Sequence, residues 1–179
     1  SINAYNKLLD NGMQVLVGTV TSGACIAVSA VANEDRLLMV TPSASSTDVL
    51  AGKDNVFQVC FTDPNQGVGA ADYISANMAG AKVAVIYRND DPYSQGIRDT
   101  FVAEAGKVGL EVVSETTFTK DTATDFNTQL TTVKSSGADV LFLPIYYQEA
   151  SQILIAANKS GYAPVFFGCD GMDGILTLE

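Results

Sequence analysis

A carboxylate near the end of the chain, that of Asp170, is the clearest candidate for contacting a charged ligand. It lies in Cys169-Asp170-Gly171, directly after the apolar run 164–168, which has the character of a β-strand. In open parallel α/β sheets, ligands bind beyond the carboxyl ends of the strands. Asp170 could therefore pair with an ammonium group, although an aspartate in this place is equally typical of a turn or a cap.

Two segments rich in hydroxyl groups follow the first two apolar runs. One contains Thr21, Ser22 and Gly23, and the other contains Ser43 and Ser45. Hydroxyls and backbone N–H groups at a helix start can together hold a carboxylate. The alternatives are an ordinary N-cap for the first segment and a serine-rich turn for the second.

Two tyrosines are also expected at strand ends. Tyr93 follows the turn Asp90-Asp91-Pro92 after the run 82–87, and Tyr146 follows the run 139–145. Tyr93 would stand at the mouth of the sheet. Tyr146 and Tyr147 form a pair of aromatics where a purely structural loop would prefer polar residues, so these rings are candidates for lining a binding site.

The composition excludes several other kinds of chemistry. The chain has no histidine, which removes Ser-His-Asp and Cys-His catalysis and histidine-ligated metals. Its three cysteines, Cys25, Cys60 and Cys169, have no C-x-x-C spacing, so we predict free thiols, no metal and no cofactor. The formal charge of −10 argues against nucleic acid and against an anionic membrane surface.

The elements that must position these residues alternate along the chain. Short runs rich in Val, Ile, Leu and Phe, several of them continuously apolar, indicate parallel strands that are covered on both faces. Amphipathic stretches between them indicate helices. The predicted strands are 14–20, 37–41, 56–61, 82–87, 111–118, 139–145 and 164–168; the predicted helices are 22–34, 65–78, 94–108, 125–135 and 148–159, with a further helix at the start of the chain. This order predicts an α/β fold with open parallel sheets flanked by helices.

A polar break suggests where one lobe ends and another begins. Thr62-Asp63-Pro64-Asn65 follows the third strand and precedes a helix. We therefore predict a partial first lobe at 1–61, a second lobe at 62–179 and a crossing near 60–63. A plain loop within one sheet would fit the same composition.

The same strand-end segments carry a family resemblance. The chain resembles the branched-chain amino-acid-binding proteins of ABC importers, the leucine/isoleucine/valine type, which have a two-lobe type I periplasmic-binding fold. The segments that carry the resemblance are Val17-Gly18-Thr19-Val20-Thr21-Ser22-Gly23, Leu38-Met39-Val40-Thr41-Pro42-Ser43-Ala44-Ser45, Val56-Phe57-Gln58-Val59, Asp63-Pro64-Asn65-Gln66-Gly67, Asp91-Pro92-Tyr93-Ser94-Gln95-Gly96, Gly137-Ala138-Asp139-Val140 and Phe166-Phe167-Gly168-Cys169-Asp170-Gly171.

The resemblance implies a role for each candidate residue. The segments with Thr21, Ser22 and Gly23 and with Ser43 and Ser45 would hold the α-carboxylate of an amino acid. Asp170 would pair with the α-ammonium, and Tyr93 and Tyr146 would close over the ligand from the second lobe. The first hinge would lie near Cys60–Asp63.

The resemblance also implies what the protein works with. It implies a non-enzymatic solute-binding component of an ABC importer, located outside the cytoplasm. Its partners would be a small amino acid, branched-chain or otherwise aliphatic, and a membrane permease. The family extends past both ends of this sequence, so we expect an internal fragment with lobe one incomplete. The full-length protein would be a monomer, and exposed apolar edges could drive the fragment to dimerise.

The chain departs from the family pattern at two places, and two other functions remain open. Gln58 stands where the family often has arginine, and Thr21 stands where some members have a disulfide cysteine. The same lobes could form the extracellular sensing domain of a receptor. A receiver-like α/β protein would use Asp90 and Asp91 as a phosphate-accepting pocket, but it also needs a late lysine, and no lysine follows Lys159.

Overall fold

The computed structural model describes residues 1–178, which divide into two units after Asp63. The first unit runs from Ser1 to Asp63, and the second begins at Pro64. The division coincides with the first residues of a helix, Asp63–Asn77.

The first unit contains a three-stranded parallel sheet in the order β1-β2-β3. Its elements are α1 (Ile2–Asp10), β1 (Val15–Val17), α2 (Ser22–Glu34), β2 (Leu38–Thr41) and β3 (Val56–Gln58), with a 3-10 turn at Thr47–Val49.

Only one face of this sheet is covered within the described chain. The core on that face includes Tyr5 from α1, Cys25 and Val28 from α2, and Met39 from β2. On the opposite face, apolar side chains remain accessible to solvent: Val15, Val17, Leu38 and Phe57, which are 42–74% exposed. Parallel sheets are normally covered on both faces, so the first unit has one layer fewer than its sheet type calls for.

The second unit contains a four-stranded parallel sheet in the order β5-β4-β6-β7. Its strands are β4 (Lys82–Arg88), β5 (Glu111–Phe118), β6 (Val140–Leu143) and β7 (Val165–Gly168), and its helices are α3 (Asp63–Asn77), α4 (Pro92–Val108), α5 (Asn127–Ser135) and α6 (Tyr147–Lys159).

Helices cover both faces of the second sheet. Alternate residues of β4 point to opposite sides: Val83 and Val85 pack with residues of α3 and α4, and Ala84 and Ile86 pack with residues of α5 and α6. All four residues of β6 are buried. This double coverage explains why these two strands are continuously apolar in the sequence.

All seven predicted strands and all six predicted helices are confirmed, and the differences lie in their lengths. The predicted strands 14–20 and 56–61 pair only over Val15–Val17 and Val56–Gln58. Both lie beside β2, which has only four residues, so neither can extend its ladder beyond that shared partner. No helix among residues 1–178 is long and apolar enough to span a membrane.

Helices α3 and α4 approach each other closely at Gly67. A Cβ atom placed on Gly67 would lie 2.5 Å from the carbonyl oxygen of Ile97 and 2.7 Å from the amide nitrogen of Phe101. These are backbone atoms of α4, which cannot move aside as a side chain can. Only glycine therefore permits this packing distance.

We expect Gly67→Ala to destabilise the protein by about 1–3 kcal/mol, because the added methyl group forces the two helices apart. Gly69→Ala is the matched control in the same helix. Its Cβ would meet nothing within 4 Å, so the better helix propensity of alanine should leave stability unchanged or raise it by up to ~1 kcal/mol. Denaturant unfolding gives the free energy of unfolding of both variants. Equal changes for Gly67→Ala and Gly69→Ala would show that the close approach of the two helices does not require glycine.

Candidate ligand-binding site

Three of the predicted site residues lie together at one edge of the second sheet. Tyr93 follows β4, Tyr146 follows β6 and Asp170 follows β7, and these three strands are neighbours. The rings of Tyr93 and Tyr146 are stacked, with centroids 4.6 Å apart and planes 14° from parallel. The hydroxyl of Tyr93 donates a hydrogen bond of 2.6 Å to Oδ1 of Asp170.

The turn that carries Asp170 is held by two side chains from outside it. The amide of Gly171 donates to the hydroxyl oxygen of Tyr93 at 2.8 Å. The amide of Asp170 donates to Oε1 of Gln66 at 3.1 Å. The carboxylate is thus fixed through its own oxygen and through two consecutive backbone amides.

Residue 171 must be glycine, because the atoms around it leave no room for a side chain. A Cβ atom there would lie 2.6 Å from the Tyr93 hydroxyl, 2.9 Å from the Ile145 carbonyl oxygen and 3.1 Å from a ring carbon of Tyr146. The backbone of the turn therefore lies directly against both tyrosines.

Tyr93 acts as a neutral hydrogen-bond donor at ordinary pH. The residue is 2% exposed, and this burial raises its pKa far above the usual value for a phenol. The neighbouring Asp170 carboxylate raises the pKa of Tyr93 further, because a negative charge disfavours the phenolate. The hydroxyl proton therefore stays on Tyr93 and points toward Asp170.

The start of α4 positions Tyr93 through its own capping contacts. Asp91 is the N-cap and accepts from the amide of Ser94 at 3.1 Å, while the Ser94 hydroxyl accepts from the amide of Arg88 at 2.8 Å. Burial raises the pKa of Asp91, and the Ser94 amide and Arg88 partly offset that rise. Asp90 forms a 2.7 Å ion pair with Arg88. Both carboxylates have structural partners here, which weighs against a receiver-like acidic pocket.

In the first unit, the three residues at the start of α2 have different environments. Thr21 is the N-cap and is exposed, as is Gly23. Ser22 is buried, and its hydroxyl oxygen accepts from the amide of Ser46 at 3.2 Å. Its side chain thus joins α2 to the loop after β2, and the exposed helix start is left to Thr21, Gly23 and backbone amides.

The loop after β2, with Ser43 and Ser45, is organised by Thr41. The Thr41 hydroxyl donates to the Thr19 carbonyl oxygen at 2.7 Å and accepts from the amides of Ser43 and Ala44 at 3.4 and 3.0 Å. Ser45 is buried, and its carbonyl oxygen accepts from the amide of Asp63 at 3.0 Å. The first unit therefore brings its two hydroxyl-rich segments together at the ends of β1 and β2.

Sequence reasoning missed Thr41 and Gln66 as site-forming residues. Thr41 is the last residue of a strand, and only its full burial identifies it as the centre of the loop. Gln66 lies 104 residues from Asp170 in the sequence, so no local pattern signals their contact.

No cluster of three or more Cys, Asp or Glu residues suited to a metal ion occurs within 1–178. Cys25, Cys60 and Cys169 form no disulfide among the described residues.

Each unit is built on a parallel sheet with polar or aromatic groups at the carboxyl ends of its strands, where open α/β proteins bind ligands. A family model for periplasmic binding proteins matches residues 1–177. The chain belongs to the periplasmic binding protein family.

Individual relatives agree with the resemblance seen in the motifs. The chain is 34% identical over 172 residues to Leu/Ile/Val-binding protein homolog 3 of Brucella melitensis, covering 96% of this chain and 46% of that protein. Among solved structures, it is similar to the leucine binding protein LivK of Thermotoga maritima, with a TM-score of 0.89, 28% identity and coverage of 96% of this chain and 49% of that one. It is also similar to LivJ of Streptococcus pneumoniae in complex with isoleucine, with a TM-score of 0.84, 30% identity and coverage of 93% and 47%.

The chain spans about half the length of these relatives. The similarity confirms the type I periplasmic-binding fold, and this chain matches about half of it. The roles of the individual site residues remain predictions.

We expect Tyr93→Phe to lower the stability of the protein by about 1.5–3 kcal/mol at neutral pH, because it removes a hydrogen bond to a charged group and leaves the Gly171 amide without this acceptor. The Tyr93 phenol ionises near pH ~10 in the unfolded chain and at a higher pH in the folded protein. The stability that Tyr93 contributes is therefore fully present below pH ~10 and is lost as the pH rises above that value. The difference in unfolding free energy between Tyr93→Phe and the original protein should become smaller in alkali.

The control is Tyr73→Phe, because Tyr73 is exposed and a phenylalanine keeps its ring contact with Phe167. Chemical denaturation at pH 7 and above pH 10 compares the variants. A loss for Tyr93→Phe no larger than that of Tyr73→Phe would contradict the assigned hydrogen bonds.

Proposed function

We propose that this chain is part of the solute-binding component of an ABC importer and captures a small amino acid, branched-chain or otherwise aliphatic. The observation that carries the proposal is the Asp170 carboxylate held at the strand ends by Tyr93. That hydrogen bond occupies Oδ1, and Oδ2 can accept from a ligand ammonium. A half-buried carboxylate attracts a cation more strongly than one in bulk water.

An amino-acid zwitterion also needs an anion-binding group, and the first unit has suitable donors. Thr21 and Gly23 lie at the exposed start of α2, where helix N–H groups have no intrahelical acceptor. Ser43 and Ser45 belong to the adjoining loop, which Thr41 and Ser22 hold in place. These groups would take the α-carboxylate without adding net charge.

The tyrosines favour a ligand with an apolar part. Tyr146 is half-buried, and its ring stacks on the buried Tyr93, so together they offer an aromatic surface next to the carboxylate. Aromatic faces of this kind bury apolar groups well. The printed names of the relatives, a leucine binding protein and a LivJ complex with isoleucine, support an aliphatic amino acid.

The remaining parts of the proposal follow from this role. The protein would act outside the cytoplasm, would hand its ligand to a membrane permease and would not be an enzyme. Its two lobes would be joined by a crossing near residues 60–63. The structural division after Asp63 supports that position for the crossing.

Asp170→Asn in the complete protein should weaken amino-acid binding at least tenfold. Truncating a charged partner in a desolvated pair costs about 2–5 kcal/mol. Asp173→Asn is the matched control, because it removes the same charge three residues away at an exposed position. Calorimetric titration with leucine, isoleucine, valine and smaller aliphatic amino acids measures the change.

Two results would contradict the proposal in different ways. Equal affinities for Asp170→Asn and Asp173→Asn would remove the role of Asp170. If the unmodified complete protein bound no amino acid in the panel, the proposed ligand class itself would be wrong.

A further inference from the structure

We propose that Gln66 is a positioning residue for Asp170 and thereby sets how strongly the site recognises an ammonium group. Gln66 need not touch the ligand, because it acts through the backbone of the turn. The inference rests on the proposed function, in which Asp170 pairs with the ammonium.

The contact joins two distant parts of the second unit. Gln66 lies in the first turn of α3, and its Oε1 accepts from the amide of Asp170 at 3.1 Å. The next amide along the chain, that of Gly171, donates to the Tyr93 hydroxyl at 2.8 Å. Two successive amides are thus held by side chains from α3 and α4.

The turn needs this outside support because it follows an edge strand. Among residues 1–178, β7 pairs with β6 alone, and its ladder ends at Gly168. Beyond that residue comes a short 3-10 turn at Asp170–Met172, with a local hydrogen bond of 3.0 Å from the Met172 amide to the Cys169 carbonyl oxygen. The direction of the Asp170 side chain depends on this short segment, so its backbone must be fixed from elsewhere.

Gln66 is well placed to act as a rigid support. Its neighbour Gly67 is the residue at which α3 packs against the backbone of α4. The same α4 carries Tyr93, the other side chain that holds the turn. Both supports therefore belong to two helices whose separation is fixed by close packing, and a site residue held this way keeps its geometry.

An amide side chain suits the position better than a carboxylate would. Gln66 supplies an oxygen acceptor for the Asp170 amide and carries no charge. Gln66 therefore adds no carboxylate at this position that would repel Asp170 or compete with it for the ligand ammonium.

The test compares Gln66→Met with the unmodified complete protein. Methionine keeps the length and approximate volume of glutamine but accepts hydrogen bonds only weakly. We expect faster hydrogen exchange at the Asp170 amide, and affinity for leucine or isoleucine reduced about fivefold to tenfold. Gln152→Met on the exposed side of α6 is the matched control and should change neither quantity.

A double-mutant cycle separates positioning from a general structural effect. In an Asp170→Asn background, Gln66→Met should lower amino-acid affinity by less than about twofold, because coupled residues are not additive. Gln66→Glu keeps an oxygen acceptor and should restore slow exchange at the Asp170 amide. If Gln66→Met does not fold, Gln66→Asn takes its place, since its side chain is one methylene shorter.

Each outcome decides a separate question. Unchanged exchange at the Asp170 amide would overturn the inference, and so would equal affinity losses in the two backgrounds. Failure of the unmodified protein to bind amino acids would overturn the proposed function, whereas the exchange measurement would still show whether Gln66 holds the turn.

Discussion

The hydrogen bond from Tyr93 to Asp170 is the contact on which the described site depends. It can form because β4, β6 and β7 run parallel in one sheet, so their carboxyl ends lie at the same edge. The bond is strong because its acceptor is a carboxylate and its donor is buried, and the same burial keeps the Tyr93 proton in place. It also constrains the backbone: the Tyr93 hydroxyl accepts from Gly171, which must be glycine to come so close.

The rest of the second unit supports that one contact. Helices cover both faces of its sheet, so the strands cannot shift without disrupting two cores. The close packing at Gly67 fixes α3 on α4, and these helices carry the two side chains that hold the turn around Asp170. In the first unit, whose sheet is covered on one face, a single side chain orders the loop after β2. The hydroxyl of Thr41 forms hydrogen bonds with three backbone groups there.

Each unit concentrates a different kind of polar group at its strand ends. The first unit has hydroxyls and an exposed helix start, and the second has one carboxylate beside a pair of aromatic rings. At the end of β4, Arg88 pairs with Asp90 at 2.7 Å and with Glu149 at 3.7 Å.

The sequence alone determined the alternation of strands and helices, because continuously apolar runs and amphipathic stretches follow directly from burial on two faces or on one. It also determined which residues stand at strand ends, and hence that Tyr93, Tyr146 and Asp170 would share an edge once the strands were parallel neighbours. Only the tertiary structure decided that Ser22 would be buried against the Ser46 amide, that Thr41 would organise a loop and that Gln66 would hold Asp170. The bonds from Ser46 to Ser22, from Thr41 to Thr19 and from Asp170 to Gln66 join residues 22 to 104 positions apart. No periodicity encodes them, because they depend on the distances at which packed helices and strands come to rest.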